Sequence, residues 1–114
     1  MSLKIYHNPR CSKSRQALAI LTDGGADFDI VEYLQIGLDP DELADLQAKT
    51  GLDVRAMMRT GEAVYKELGL KEQADEATLR AAMVANPILL ERPLVVSDDK
   101  AVICRPPELA AQFL

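Results

Sequence analysis

Apolar and polar positions alternate from Leu3 to Tyr6, then the pattern breaks at Asn8-Pro9 and resumes with a different period. Ala17, Leu18, Ile20 and Leu21 recur at helical spacing as far as Gly24-Gly25. A short strand over residues 3–6 and a helix over Ser12–Asp23 with a glycine stop are predicted. Residues 28–34 are rich in β-branched and aromatic side chains and predict a second strand, parallel to the first in a right-handed βαβ unit. The next stretch changes character. Asp39, Pro40 and Glu42 carry an N-cap and first-turn signature for a helix with Leu43 and Leu46 inward and Gly51 at its end. Residues 54–58 and 63–68 predict two short helical pieces split by Thr60-Gly61, and 75–86 predicts a further helix with Leu79, Ala82 and Met83 inward. Pro87 ends it. Apolar runs at 94–97 and 101–104 flank Asp98-Asp99-Lys100 and predict an antiparallel hairpin. Arg105-Pro106-Pro107-Glu108 then opens a last helix with Leu109, Phe113 and Leu114 inward.

The order is βαβ, helices, β-hairpin, α. The economical arrangement is α/β, with a four-stranded mixed sheet, flanking helices and a helical insertion, which matches a thioredoxin-like core. At 114 residues the chain is expected to form a single domain. A net charge of -5 argues against general electrostatic binding to nucleic acid, so an anion site would have to be a local basic pocket. There is no apolar run of membrane-spanning length and no apolar leader pattern, so neither membrane insertion nor export is expected. Two cysteines far apart in a chain of this kind are expected to be reduced thiols in the cytoplasm.

That makes Cys11 the candidate for chemistry. It falls at the predicted start of a helix, where unpaired N–H groups and the positive end of the helix dipole favour an anion. Arg10, Lys13 and Arg15 lie within four residues, and His7, the chain's one histidine, lies on the other side. Lowering a thiol pKa from ~8.5 to ~6.5 would raise the thiolate fraction at pH 7 from ~3% to ~75%. The alternative is a small buried hydrophobe, which these polar and basic flanks disfavour. Ser14 stands where dithiol oxidoreductases place a second cysteine, so a disulfide at Cys11 would be resolved from outside or by Cys104. Cys104 itself lies on an apolar strand and reads as a packed core thiol. One histidine and two distant cysteines lack the spacing of a zinc site, so no metal is expected. Ala17 occupies the place where a phosphatase loop would need arginine.

Among the arginines, Arg55 and Arg80 read as solvated helix faces. Arg59, Arg92 and Arg105 sit at element ends, where guanidinium forks commonly grip oxyanions, though each could equally be a surface charge. His7 either lowers the Cys11 pKa or caps the turn.

Five ordered motifs span the chain: Ile5-Tyr6-His7-Asn8-Pro9 with Cys11, Val54-Arg55-Ala56-Met57-Met58-Arg59, Asn86-Pro87-Ile88-Leu89, Glu91-Arg92-Pro93-Leu94-Val95-Val96, and Cys104-Arg105-Pro106. Together they resemble the glutaredoxin-coupled arsenate reductase family. The resemblance implies a thioredoxin-like fold, Cys11 attacking arsenate or a similar oxyanion, His7 helping to keep it ionised, and Arg59, Arg92 and Arg105 holding the oxyanion. It also implies glutathione as co-substrate, with no bound cofactor, and glutaredoxin as the partner that clears the mixed disulfide. By the same resemblance Arg92-Pro93 is expected to be cis. The chain ends at Leu114, where plasmid-type members continue, and is similar to a short, chromosomal branch. Two alternatives accompany this reading: a glutathione-dependent thiol reductase or transferase acting on another substrate, and an Spx-like RNA polymerase-binding regulator. Ser14 removes the Cys-x-x-Cys switch that such regulators typically use.

Overall fold

A computed structural model describes residues 3–114. The chain divides into two compact units, one running to Gln35 and resuming at Arg92–Leu114, the other formed by Ile36–Glu91. The second is the helical insertion expected between the strands.

The first unit is a four-stranded mixed sheet. Its strands are β1 (Lys4–Tyr6), β2 (Asp29–Val31), β3 (Leu94–Val96) and β4 (Ala101–Ile103), in the order β2-β1-β3-β4. β1 runs parallel to β2 and antiparallel to β3, so Ile5 stands between Ile30 and Val95. β3 and β4 form the predicted hairpin, with Val95 opposite Val102. Helix α1 (Ser12–Asp23) and a 3₁₀ segment, Pro107–Phe113, pack against each other. Ile5, Ala17, Leu21, Val95, Cys104 and Ala110 fuse strand, helix and C-terminal segment into one fully buried core. The hydrophobic effect therefore fixes the start of α1 relative to β1 and β3. Gly25 ends α1 with φ +75°, a left-handed conformation that side chains beyond glycine disfavour.

Two elements differ from the sequence expectation. The second strand covers Asp29–Val31 rather than 28–34, because Tyr33 begins a short helix, α2 (Tyr33–Ile36). The Tyr33 ring is fully buried, its centroid 6.3 Å from that of Tyr6, and that packing overrides local β propensity. The final helix is a 3₁₀ segment, its cap N–H at Leu114 donating to the Ala111 carbonyl.

In the second unit, α3 (Pro40–Thr50) opens with the predicted reciprocal cap. Asp39 Oδ1 accepts from the Asp41 N–H, and Glu42 Oε1 accepts from the Asp39 N–H. Gly51 closes it at φ +70°. Short turns follow at Arg55–Met57, α4 (Ala63–Glu67) and Leu70–Glu72, then α5 (Glu76–Ala85) and a 3₁₀ turn at Pro87–Leu89. α3 packs on α5, with Leu43, Leu46, Leu79 and Met83 buried. Arg55, expected on a solvated face, instead braces this unit. Its guanidinium donates to the Leu70 carbonyl at 3.0 Å, to the Tyr65 hydroxyl and to the Gln73 carbonyl, tying three turns that lack long helices of their own. Among the described residues no helix is long and apolar enough to cross a membrane.

Candidate functional site

The loop from β1 to α1 is held by backbone bonds together with the side chains of His7, Asn8 and Ser14. The His7 N–H donates to the Val31 carbonyl at 3.0 Å, anchoring the loop to β2. Asn8 turns it: its carbonyl accepts from the Cys11 N–H and its Oδ1 from the Arg10 N–H, both at 3.0 Å. Asn8 in turn donates its own N–H to Ser14 Oγ at 3.0 Å, and the same oxygen lies 2.6 Å from His7 Nδ1. His7, Asn8 and Ser14 are all buried, so this network works in a low dielectric where each bond counts for more.

Cys11 is the N-cap residue of α1, in extended conformation, and its carbonyl accepts the first helical bond from the Arg15 N–H at 3.0 Å. Its half-buried thiol has a pKa below the ordinary value. Burial alone pushes the thiol up. That effect is outweighed by the Ser14 N–H, a hydrogen bond from the Arg92 guanidinium, the Lys13 N–H and the charge of Arg92. The sequence pointed to the side chains of Arg10, Lys13 and Arg15 as the stabilisers, and the structure corrects this. All three are exposed, and Arg15 donates its Nη1 to the Pro9 carbonyl at 2.8 Å. The cation that matters arrives from 81 residues away in the chain, on the approach to β3.

The His7 pKa is also lowered. Burial is the main cause, Glu32 pulls the other way, and Arg15 adds to the lowering. The ring meets the loop through Ser14 Oγ, and its burial disfavours the charged form.

Arg92 is buried, and its peptide bond to Pro93 is cis as expected; Arg105-Pro106 is cis as well. Arg105 Nη1 donates to the Arg92 carbonyl at 3.0 Å, and the Cys104 N–H donates to the Pro93 carbonyl at 2.8 Å. Cys11, His7, Arg92 and Arg105 thus belong to one unit, with Arg92 on the thiol and Arg105 on the backbone of Arg92. Cys104 is fully buried, and its thiol is pushed up to about 11 by that burial, the core role read from the sequence. Arg59 belongs to the second unit. Its N–H donates to the Leu89 carbonyl at 2.7 Å, its Nε to Glu62 Oε1 at 3.2 Å and its Nη1 to Glu91 Oε1 at 3.0 Å.

Sequence reasoning missed Asn8 and Ser14 as organisers, and Glu62 and Glu91 as partners of Arg59. For Ser14 the signal was present. It shares a helical stripe with Ala17 and Leu21, so it faces inward, where a hydroxyl needs partners.

Comparison with known proteins shows the family. The sequence profile described as the ArsC family matches residues 6–113. The chain is 48% identical to the uncharacterized protein YfgD of Escherichia coli strain K12, over 98% of this chain and 96% of that protein. It is 46% identical to a protein named arsenate reductase in Neisseria meningitidis serogroup A, over 93% of this chain and 92% of that one. Among solved structures, one titled arsenate reductase from Vibrio cholerae superposes with a TM-score of 0.94 at 46% identity, covering 100% of this chain and 98% of the other.

Proposed function

The chain belongs to the ArsC family, and on that premise we propose that it is an arsenate reductase whose nucleophile is Cys11. The observation that carries the reading is the surroundings of that thiol. Two helix N–H groups and the Arg92 guanidinium favour its anion. The same kinds of donor are what an incoming oxyanion requires. Relatives of 46% identity that bear the name arsenate reductase support the choice of oxyanion.

In this reading Arg59, Arg92 and Arg105 bind arsenate and Cys11 attacks arsenic. A sulfur–arsenic bond forms, and one arsenate oxygen leaves as water after protonation. Glutathione is the second thiol. Its sulfur attacks Cys11 Sγ, the sulfur–arsenic bond breaks with its electron pair staying on arsenic, and arsenic falls from the pentavalent to the trivalent state. The product is arsenite, and Cys11 is left disulfide-bonded to glutathione. Glutaredoxin then reduces that mixed disulfide by thiol exchange. An external reductant fits the chain's own thiols: Ser14 offers no sulfur, and Cys104, held protonated in the core, is a poor resolving nucleophile. Nothing beyond these soluble thiols is needed as a cofactor, and the chemistry suits the reducing cytoplasm.

The test couples NADPH oxidation through glutathione reductase and glutaredoxin, with and without arsenate. Arsenate-dependent oxidation is expected from the native chain and none from Cys11→Ser. Arg92→Lys and Arg105→Lys should each lose about tenfold or more, because a charge-assisted contact is worth ~1.5 to 3 kcal/mol and lysine lacks the bidentate fork. A native chain that oxidises no NADPH when arsenate is added would overturn the proposal.

A further inference from the structure

Arg59 is committed before any oxyanion arrives. Its Nε lies 3.2 Å from Glu62 Oε1 and its Nη1 3.0 Å from Glu91 Oε1, and all three side chains are about one quarter exposed. A guanidinium can grip a tetrahedral oxyanion with two parallel bonds through Nε and Nη2, or through Nη1 and Nη2. Glu62 occupies one donor of the first pair and Glu91 one donor of the second. Two carboxylates on one guanidinium also leave this cluster with a local charge of minus one, which repels a dianion.

We propose that Glu62 and Glu91 are built-in competitors for Arg59, which an incoming oxyanion must displace in part, and that they thereby set the affinity and charge selectivity of oxyanion binding. This rests on the reading of Arg59 as an oxyanion ligand given above. The clamp has the geometry for exchange. Glu62 is on the same short turn as Arg59, three residues on, and Glu91 is tied through its N–H to the Met57 carbonyl at 2.8 Å. In the proposed exchange a carboxylate leaves Arg59 by side-chain rotation while its backbone stays fixed. The partial exposure of all three side chains lets water take over the released carboxylate.

The experiment uses the double variant Glu62→Gln/Glu91→Gln, which keeps size and an acceptor oxygen while removing both charges. Two readouts are taken: the arsenate KM in the coupled assay, and the concentration of inorganic phosphate that half-protects Cys11 from iodoacetamide. Both are expected to fall about three- to tenfold, with the kinetic gain in KM rather than kcat. Adding Arg59→Lys should erase the gain. Asp98→Asn/Asp99→Asn, the same charge change in the turn at the far end of β3 from Arg92, should leave both readouts where they were. Values that are unchanged or higher in the double variant would overturn the proposal, since the carboxylates would then merely orient Arg59. A gain that survives Arg59→Lys, or that Asp98→Asn/Asp99→Asn reproduces, would overturn it too, because net charge alone would explain it. Phosphate protection does not depend on turnover, so a native chain inactive on arsenate would count against the proposed function while the clamp is still decided.

Discussion

Cys11 and Cys104 are the same group in opposite surroundings. Cys11 is half-buried beneath the N–H groups of a helix start and an arginine, while Cys104 is sealed among Ile5, Ala17, Leu21 and Val95. The first is lowered from its ordinary pKa, and the second is pushed up to about 11. The signs for stability follow. Thiolate formation at Cys11 contributes stability that is present above the unfolded pKa of ~8.5 and lost as pH falls through the lower folded value. At Cys104 the folded pKa lies above the unfolded one, so raising pH from ~8.5 towards 11 removes stability. Alkylation by iodoacetamide reads the same two environments. Cys11 should react at neutral pH with a midpoint below ~8.5, and Cys104 should stay slow until strongly alkaline pH. A faster Cys104, or a Cys11 that titrates as a free thiol, would contradict this account.

The elements that could be read from the sequence are those whose signals are local. The start of α3 rests on Asp39, Pro40 and Glu42, and both halves of the capping box are present. Asp39→Ala removes the acceptor for the Asp41 N–H and should cost about 1 kcal/mol in urea unfolding; no loss would mean that solvent satisfies this end unaided. The thiol was legible for the same reason, because strand, Asn-Pro turn and helical stripe fix Cys11 at a helix start whatever the rest does. The second strand was not, since Tyr33 leaves it for a packing partner, Tyr6, that lies 27 residues back. Arg55 misled in a similar way. Its sequence neighbours describe a surface helix, whereas its acceptors are carbonyls and a hydroxyl 10 to 18 residues further on.

For the whole molecule, the order of elements was enough to give a mixed sheet with an inserted helical unit, because short loops and crossover handedness leave few other topologies. The electrostatics of the site were not legible at that level. Nothing near Cys11 in sequence announces Arg92, and although Glu62 stands three residues after Arg59, nothing beside Arg59 announces that its guanidinium is also shared with Glu91, 32 residues on. Resemblance to a family named the arginines, and the folded chain supplied their partners. The central claim is that the Cys11 thiolate carries electrons to arsenic, and a single turnover tests it most directly. Native protein is mixed with arsenate and glutathione without glutaredoxin, arsenite is quantified, and the protein is weighed by mass spectrometry. The account predicts arsenite in step with a single glutathione on Cys11, and neither product from Cys11→Ser. Arsenate left pentavalent with Cys11 unmodified, or equal arsenite from Cys11→Ser, would contradict it.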